Sequence, residues 1–155
     1  VTVARKLIEQ IEKIRSTSEE ENFFAVMGDF NVVPRDNPNG IQDVLLSRQT
    51  GMIDVESSFR QDRSIPRDLK ESMPPSSYFY RRGGDWNHLD RIIVSENLLD
   101  KKGVDVDLRS FEIFAHDRYS KISRGNRVPL RFEIHHGRAS GVSDHFPVVA
   151  EIKIY

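Results

Sequence analysis

Three short stretches of this 155-residue sequence carry groups suited to one kind of reaction. Asp29 and Asn31 follow the apolar run Phe23-Phe24-Ala25-Val26-Met27. Asp90 lies near the start of Leu89-Asp90-Arg91-Ile92-Ile93-Val94-Ser95, and Asp144 and His145 stand in Ser143-Asp144-His145-Phe146-Pro147. Taken singly, two of these have a bland reading. Asp, Asn and Gly are the usual turn residues, and an Asp-His pair in a loop is often a surface feature. Asp90 is different, because a carboxylate inside an apolar strand costs desolvation free energy unless a positive or donating group meets it. A histidine is such a partner. A carboxylate that accepts from one ring nitrogen fixes the tautomer and stabilises the imidazolium. Together the stretches offer three carboxylates, an amide and an imidazole, a set suited to holding a divalent cation and activating water against a phosphorus centre.

The elements that must position these groups follow from the pattern around them. The run before Asp29 fits a strand buried on both faces, although periodicity alone also allows a buried helix. As a strand it sets Asp29 and Asn31 on one side of its carboxyl end, a common place for a ligand site. Ahead of it Val3, Leu7, Ile8, Ile11 and Ile14 recur at helical spacing, which predicts an amphipathic helix leading into a strand, as in layered α/β folds. Residues 34–40 are loop chemistry, and residues 41–49 read as a short helix ended by Thr50-Gly51. From Asp54 to Ser77 the chain is charged or Pro/Ser-rich, and a long surface loop with at most a short strand or turn of helix is expected. Ser77-Tyr78-Phe79-Tyr80 reads as a strand, and the stretch from Leu89 to Ser95 as a central strand; the two are expected to form a hairpin across Arg82-Gly83-Gly84-Asp85. Residues 104–114 alternate as a half-exposed strand, and residues 148–155 as a terminal one.

Composition bounds the class. The length predicts a single domain over residues 1–155. With 37% hydrophobic and 30% charged residues the chain is of globular type, and no apolar run is long enough to span a bilayer. The net charge of −1 gives no global field toward nucleic acid or an anionic membrane, so such a preference must come from a local patch. One exists between Arg109 and Arg138, where Arg118, Lys121, Arg124 and Arg127 form either a phosphate-facing loop or a solvated one. The absence of cysteine excludes disulfides and thiolate metal sites and leaves the compartment open.

The three stretches also carry a resemblance. Val26-Met27-Gly28-Asp29-Phe30-Asn31 resembles the GDFN motif of the endonuclease/exonuclease/phosphatase superfamily. The stretch from Leu89 to Ser95 is similar to its LDYIFVS-type strand, and Ser143-Asp144-His145-Phe146-Pro147-Val148 to its SDHxPV motif. All three stand in the family's order. The resemblance implies a four-layer α/β sandwich and hydrolysis of phosphoesters with Mg²⁺ or Mn²⁺. It implies that Asp29 positions or deprotonates the attacking water and that Asn31 donates to the phosphate. His145 would donate to a phosphate oxygen or transfer a proton, with Asp90 on its other nitrogen. Asp144, with Asp29, would lie on the metal side. The general base stays open between Asp29 and His145.

The family's amino-terminal motifs, an Asn on its first strand and a metal-binding Glu, have no counterpart in this sequence. The expectation is therefore the carboxyl-terminal half of the sandwich, one mainly antiparallel or mixed sheet with flanking helices and an exposed apolar sheet face. That face would be covered by an amino-terminal half or by a second copy. Trp86 and Asn87, near Tyr78, Tyr80, Arg81, Arg82 and His88, are candidates for binding substrate, the aromatics by base stacking; equally, Tyr78 and Tyr80 are strand surface and Trp86 caps the hairpin against the core. The expected function is a metal-dependent, nuclease-like phosphoesterase acting on phosphodiester or phosphomonoester bonds, nucleic acid being one candidate substrate. The alternative is a catalytically silent fragment or interaction domain that pairs through its sheet face.

Overall fold

The stretch richest in β-branched residues becomes the centre of the sheet that carries the site. In the computed structural model, which describes residues 1–155 with His135 by its backbone alone, strand β5 (Asp90–Ser95) lies between β1 (Ala25–Asp29) and β2 (Met52–Asp54). Both pairings are antiparallel. Successive strand residues point to opposite faces, and β5 uses both. Ile93 packs with Ile11, Ile41, Leu45 and Met52, whereas Val94 packs with Val55, Phe59, Val106 and Phe111.

The first of these clusters lies under α1 (Thr2–Thr17), which buries Ile11 and leaves Val3 and Ile14 exposed at its ends. A single wide helical turn at Ile41–Leu45 closes it, the Leu46 N–H donating to the Ile41 carbonyl five residues back at 2.8 Å. The second cluster lies between the β5 sheet and a two-stranded ladder of β6 (Val104–Ile113) and β11 (Val148–Ile154), where Phe111 and Ile113 are buried.

Three expectations are corrected. The apolar run at residues 23–27 is not buried on both faces. β1 is an edge strand whose Val26 faces α1, while Met27 on the other face is 65% exposed. Residues 54–77 are not a long surface loop. They hold α2 (Val55–Gln61) and α3 (Arg67–Glu71), with Val55, Phe59 and Ile65 buried. Two apolar residues four apart suffice to seat one helical face, and Asp54 caps α2 by accepting from the Ser57 N–H at 2.8 Å. Arg60 then ties down the following segment by donating to the carbonyls of Lys70 and Pro74. The third concerns the hairpin. β3 (Tyr78–Tyr80) pairs with β4 (Asp85–Asn87), not with β5, because Trp86 inserts between Phe79 at 5.1 Å and Phe146 at 6.4 Å between centroids.

Two further hairpins, β7 (Ser120–Ser123) with β8 (Asn126–Pro129) and β9 (Glu133–His135) with β10 (Arg138–Ser140), occupy the basic stretch. The fold thus mixes helices with antiparallel strands, divided among a three-stranded sheet and four two-stranded ladders rather than one larger sheet. Among the described residues no helix is long and apolar enough to cross a membrane. Removing the fully buried Phe59 ring by Phe59→Ala should cost about 3–5 kcal/mol in urea unfolding. Met27→Ser, on the open face, should stay within about 0.5 kcal/mol. Equal losses for the two variants would contradict this placement of the core.

Candidate active site

The register of β1 on β5 sets Asp29 directly opposite Asp90. Facing carboxylates repel, and only Asp90 has strong donors. The Ser77 hydroxyl donates to Asp90 Oδ2 at 2.5 Å, and His145 Nδ1 lies 2.6 Å from the same oxygen. Ser77 is buried, and the Asp90 and His145 side chains are each 22% exposed, so the pair is shielded without being sealed. With Nδ1 turned to Asp90, Nε2 is the ring nitrogen left to meet a substrate.

The loop that carries His145 is fixed by backbone bonds to two elements. The Phe146 N–H donates to the Ser77 carbonyl and the Phe114 N–H to the Pro147 carbonyl, both at 2.8 Å. The imidazole packs on Tyr78 with ring centroids 4.8 Å apart. At the end of β1, Asp29 Oδ1 accepts from the Asn31 N–H at 2.9 Å and holds Asn31 at φ +52°, a left-handed conformation that Asn tolerates. Asn31 therefore lies in a turn beyond the strand, and simple alternation does not place it.

Asp144 is held from another direction. Arg131 Nη2 donates to its Oδ2 at 2.6 Å, and this hydrogen bond keeps the Asp144 carboxyl below the usual carboxylate range despite partial burial. The approach needs Gly141. At φ +71° it lets the chain run against residues 130 and 131, where a Cβ would meet two backbone carbonyl oxygens at 2.2 Å.

The His145–Asp90 pair lines one cavity, and its neighbours Tyr78 and Asp144 line a second. One, of about 370 Å³, includes Asp90 and His145 and is otherwise lined by Phe114, Tyr119, Val142 and Pro147. The other, of about 260 Å³, is lined by Tyr78, Tyr80, Arg81, Arg82, Arg131 and Asp144 together with the apolar Phe79, Val128 and Pro129. Of the residues singled out in the sequence, Asp29, Asp90 and His145 are brought together, and Asp144 follows His145 with its own cation. Trp86 is packed in the aromatic cluster, and Asn87 accepts from the Ser76 hydroxyl through its backbone at 2.7 Å. Neither lines either cavity. Arg127 is paired with Asp117, and Arg118 lies over Tyr119 at 5.8 Å.

A cation site is present in kind but not in number. The Asp29 and Asp144 carboxylates are hard oxygen donors of the type Mg²⁺ takes. Among the described residues, however, no three His, Cys, Asp or Glu side chains converge to hold an ion.

The model of the endonuclease/exonuclease/phosphatase family matches residues 1–154. The chain belongs to the endonuclease/exonuclease/phosphatase family. Its members are hydrolases of the nuclease and phosphatase type, and they generally use divalent metals. Comparison with curated proteins and with solved structures gives no match. Two residues of the candidate site, Ser77 and Arg131, were missed in the sequence, and Tyr78 was named there only as a base-stacking candidate, not as packing on His145. Ser77 had no signal beyond opening a strand. Arg131 had one, since it lies within the basic stretch whose other cations drew attention instead.

The Arg131–Asp144 pair has a pH signature. Because the Asp144 carboxyl is lower in the folded chain than its usual value of 3.8, the stabilisation is full above that value and is lost as pH falls through the folded value. Asp144 is 41% exposed, so the effect should be below about 1 kcal/mol. Arg131→Gln should flatten this part of the acid limb when urea midpoints are measured against pH. Superimposable profiles for the variant and the parent chain would count against the pair.

Proposed function

We propose that this chain is the catalytic carboxyl-terminal part of a metal-dependent phosphoesterase that hydrolyses phosphodiester bonds in a nuclease-like manner. The observation that carries the reading is the Asp90-oriented His145, packed on Tyr78, which lines a cavity bearing three arginines. A phosphodiester is already anionic, so the attacking water needs aimed donors and cations around the phosphate. His145 Nε2 donates to a phosphate oxygen or passes a proton, and Asp90 steadies the imidazolium that results. The Asn31 amide supplies a second donor. Asp29 orients the water and competes with His145 for its proton. Mg²⁺ or Mn²⁺, with Asp29 and Asp144 among its ligands, would supply charge neutralisation and acidify a bound water. The same groups serve a phosphomonoester, and Trp86 and Asn87 act by shaping the β3–β4 hairpin beside the substrate.

A second reading rests on a different observation. Met27 and Phe23 beside the free edge of β1, and Ile152 and Ile154 on β11, are all exposed. Such an open apolar surface fits half of a four-layer sandwich, covered by an amino-terminal half or by a second copy. If binding through that face is the whole function, the chain is an interaction domain and no hydrolase.

Hydrolysis of bis-p-nitrophenyl phosphate with Mg²⁺ or Mn²⁺, by this chain and by the full-length gene product, separates the two. His145→Ala and Asp29→Ala should each lower kcat by about 10²- to 10⁴-fold. Activity that survives both substitutions sinks the role assignments. For the second reading, sedimentation should show a concentration-dependent dimer that Met27→Lys weakens, and a chain that stays monomeric in both forms excludes self-pairing through β1.

A further inference from the structure

We infer that the cavity lined by Tyr78, Tyr80, Arg81, Arg82 and Arg131 is a subsite for a second phosphate group of the substrate, beside the phosphate that His145 meets; the inference rests on the phosphoesterase reading above.

Position comes first. Tyr78 lines this cavity, and its ring lies 4.8 Å from the His145 ring, so the subsite begins where the catalytic pair ends. Tyr80 is two residues further along β3, about 7 Å at the rise of an extended strand. The two tyrosines share a face, while Phe79 between them is buried against Trp86 on the opposite one. The cavity wall is therefore mixed, Phe79, Val128 and Pro129 forming an apolar floor beside the tyrosines and arginines.

Charge comes second. Three guanidinium groups line one cavity of a chain whose net charge is −1, so the concentration is local. Arg81 reaches Glu133 at 3.4 Å, and Arg131 donates to Asp144. The Arg82 side chain has no hydrogen-bond or ion-pair partner among the described residues. Guanidinium forks match phosphate oxygens in pairs, and tyrosine hydroxyls can donate to the same group. A phosphate there would also compete with Asp144 for Arg131. Substrate binding would then release a carboxylate next to His145 as the cleavable phosphate arrives.

A second phosphate is offered both by the next nucleotide of a nucleic-acid strand and by a small polyphosphorylated alcohol. Calorimetric titration in EDTA reads binding without turnover. The ligand pairs are thymidylyl-thymidine with and without a 5′-phosphate, and inositol 1,4-bisphosphate against inositol 1-phosphate. The chain should bind the doubly phosphorylated member of one pair about tenfold more tightly. Arg82→Gln should bring that ratio toward one, and Arg82→Lys should restore part of it. The pair that shows the preference names the source. No preference in either pair, absence of binding included, overturns the subsite, as does a preference untouched by both Arg82→Gln and Arg131→Gln. Bis-p-nitrophenyl phosphate carries a single phosphate and tests the underlying reading separately. His145-dependent hydrolysis without a second-phosphate preference sinks the subsite alone, and hydrolysis indifferent to His145→Ala sinks the reading beneath it.

Discussion

The site depends on one constraint: Asp90 is a carboxylate on a central strand, and its charge must be met. An isolated buried carboxylate neutralises or drives rearrangement, because losing water costs far more than one weak contact returns. Here the Ser77 hydroxyl and the His145 imidazole converge on a single carboxylate oxygen. Meeting that demand draws the start of β3 and the loop before β11 onto the end of β5. The same residues then stitch their backbones together, through the Phe146 N–H and the Ser77 carbonyl. Residues far apart in sequence reach one place because a single carboxylate needs them there.

Behind that end, β5 is held from both sides, and this is what makes the geometry rigid. Ile93 and Val94 are essentially inaccessible, and they belong to different clusters. A lateral slip of β5 by one residue would exchange the two faces and carry Asp90 away from His145. α2 contributes from the side. Its Glu56 accepts from Arg60 and lies 3.0 Å from His88 Nδ1, which steadies the connection into β5 just before Asp90. β1 has no such two-sided support. Its Asp29 is placed only by register with β5 and by the turn through Asn31, so this carboxylate has more freedom than Asp90.

The sequence made β5 legible, since a β-branched run with a single carboxylate has few other readings. The Asp90–His145 contact was legible through the family resemblance, which implied Asp90 on the other nitrogen of His145; composition alone offers five histidines and many other cations. What the sequence hid was context. The run at residues 23–27 is as apolar as β5, yet composition does not say whether a strand will be central or at an edge. α2 was hidden for the opposite reason: Val55 and Phe59 stand among charged and small residues, and two anchors on one helical face fall below what a pattern count detects. The β3–β4 hairpin was misread because the residues before Leu89 read as a loop, whereas Trp86 lies on β4 with its ring among Phe79 and Phe146. Arg131 could not be chosen from seven cations in its stretch without knowing that Gly141 folds the chain back onto it.

Electrostatics gives the site a direction. On one side of His145 the walls are Phe114, Tyr119, Val142 and Pro147, and on the other they are tyrosines and arginines. An apolar cavity and a cationic one cannot exchange occupants without desolvating charge on one side and leaving cations unmet on the other. On the phosphoesterase reading, a substrate with unlike ends would be oriented before it reaches the imidazole. The Asp29–Asp90 pair adds a local negative charge between them, which repels a phosphate unless a cation intervenes. On the same reading, arginines to one side draw a phosphate in while facing carboxylates hold it off, and a cation held by Asp29 would ease that opposition.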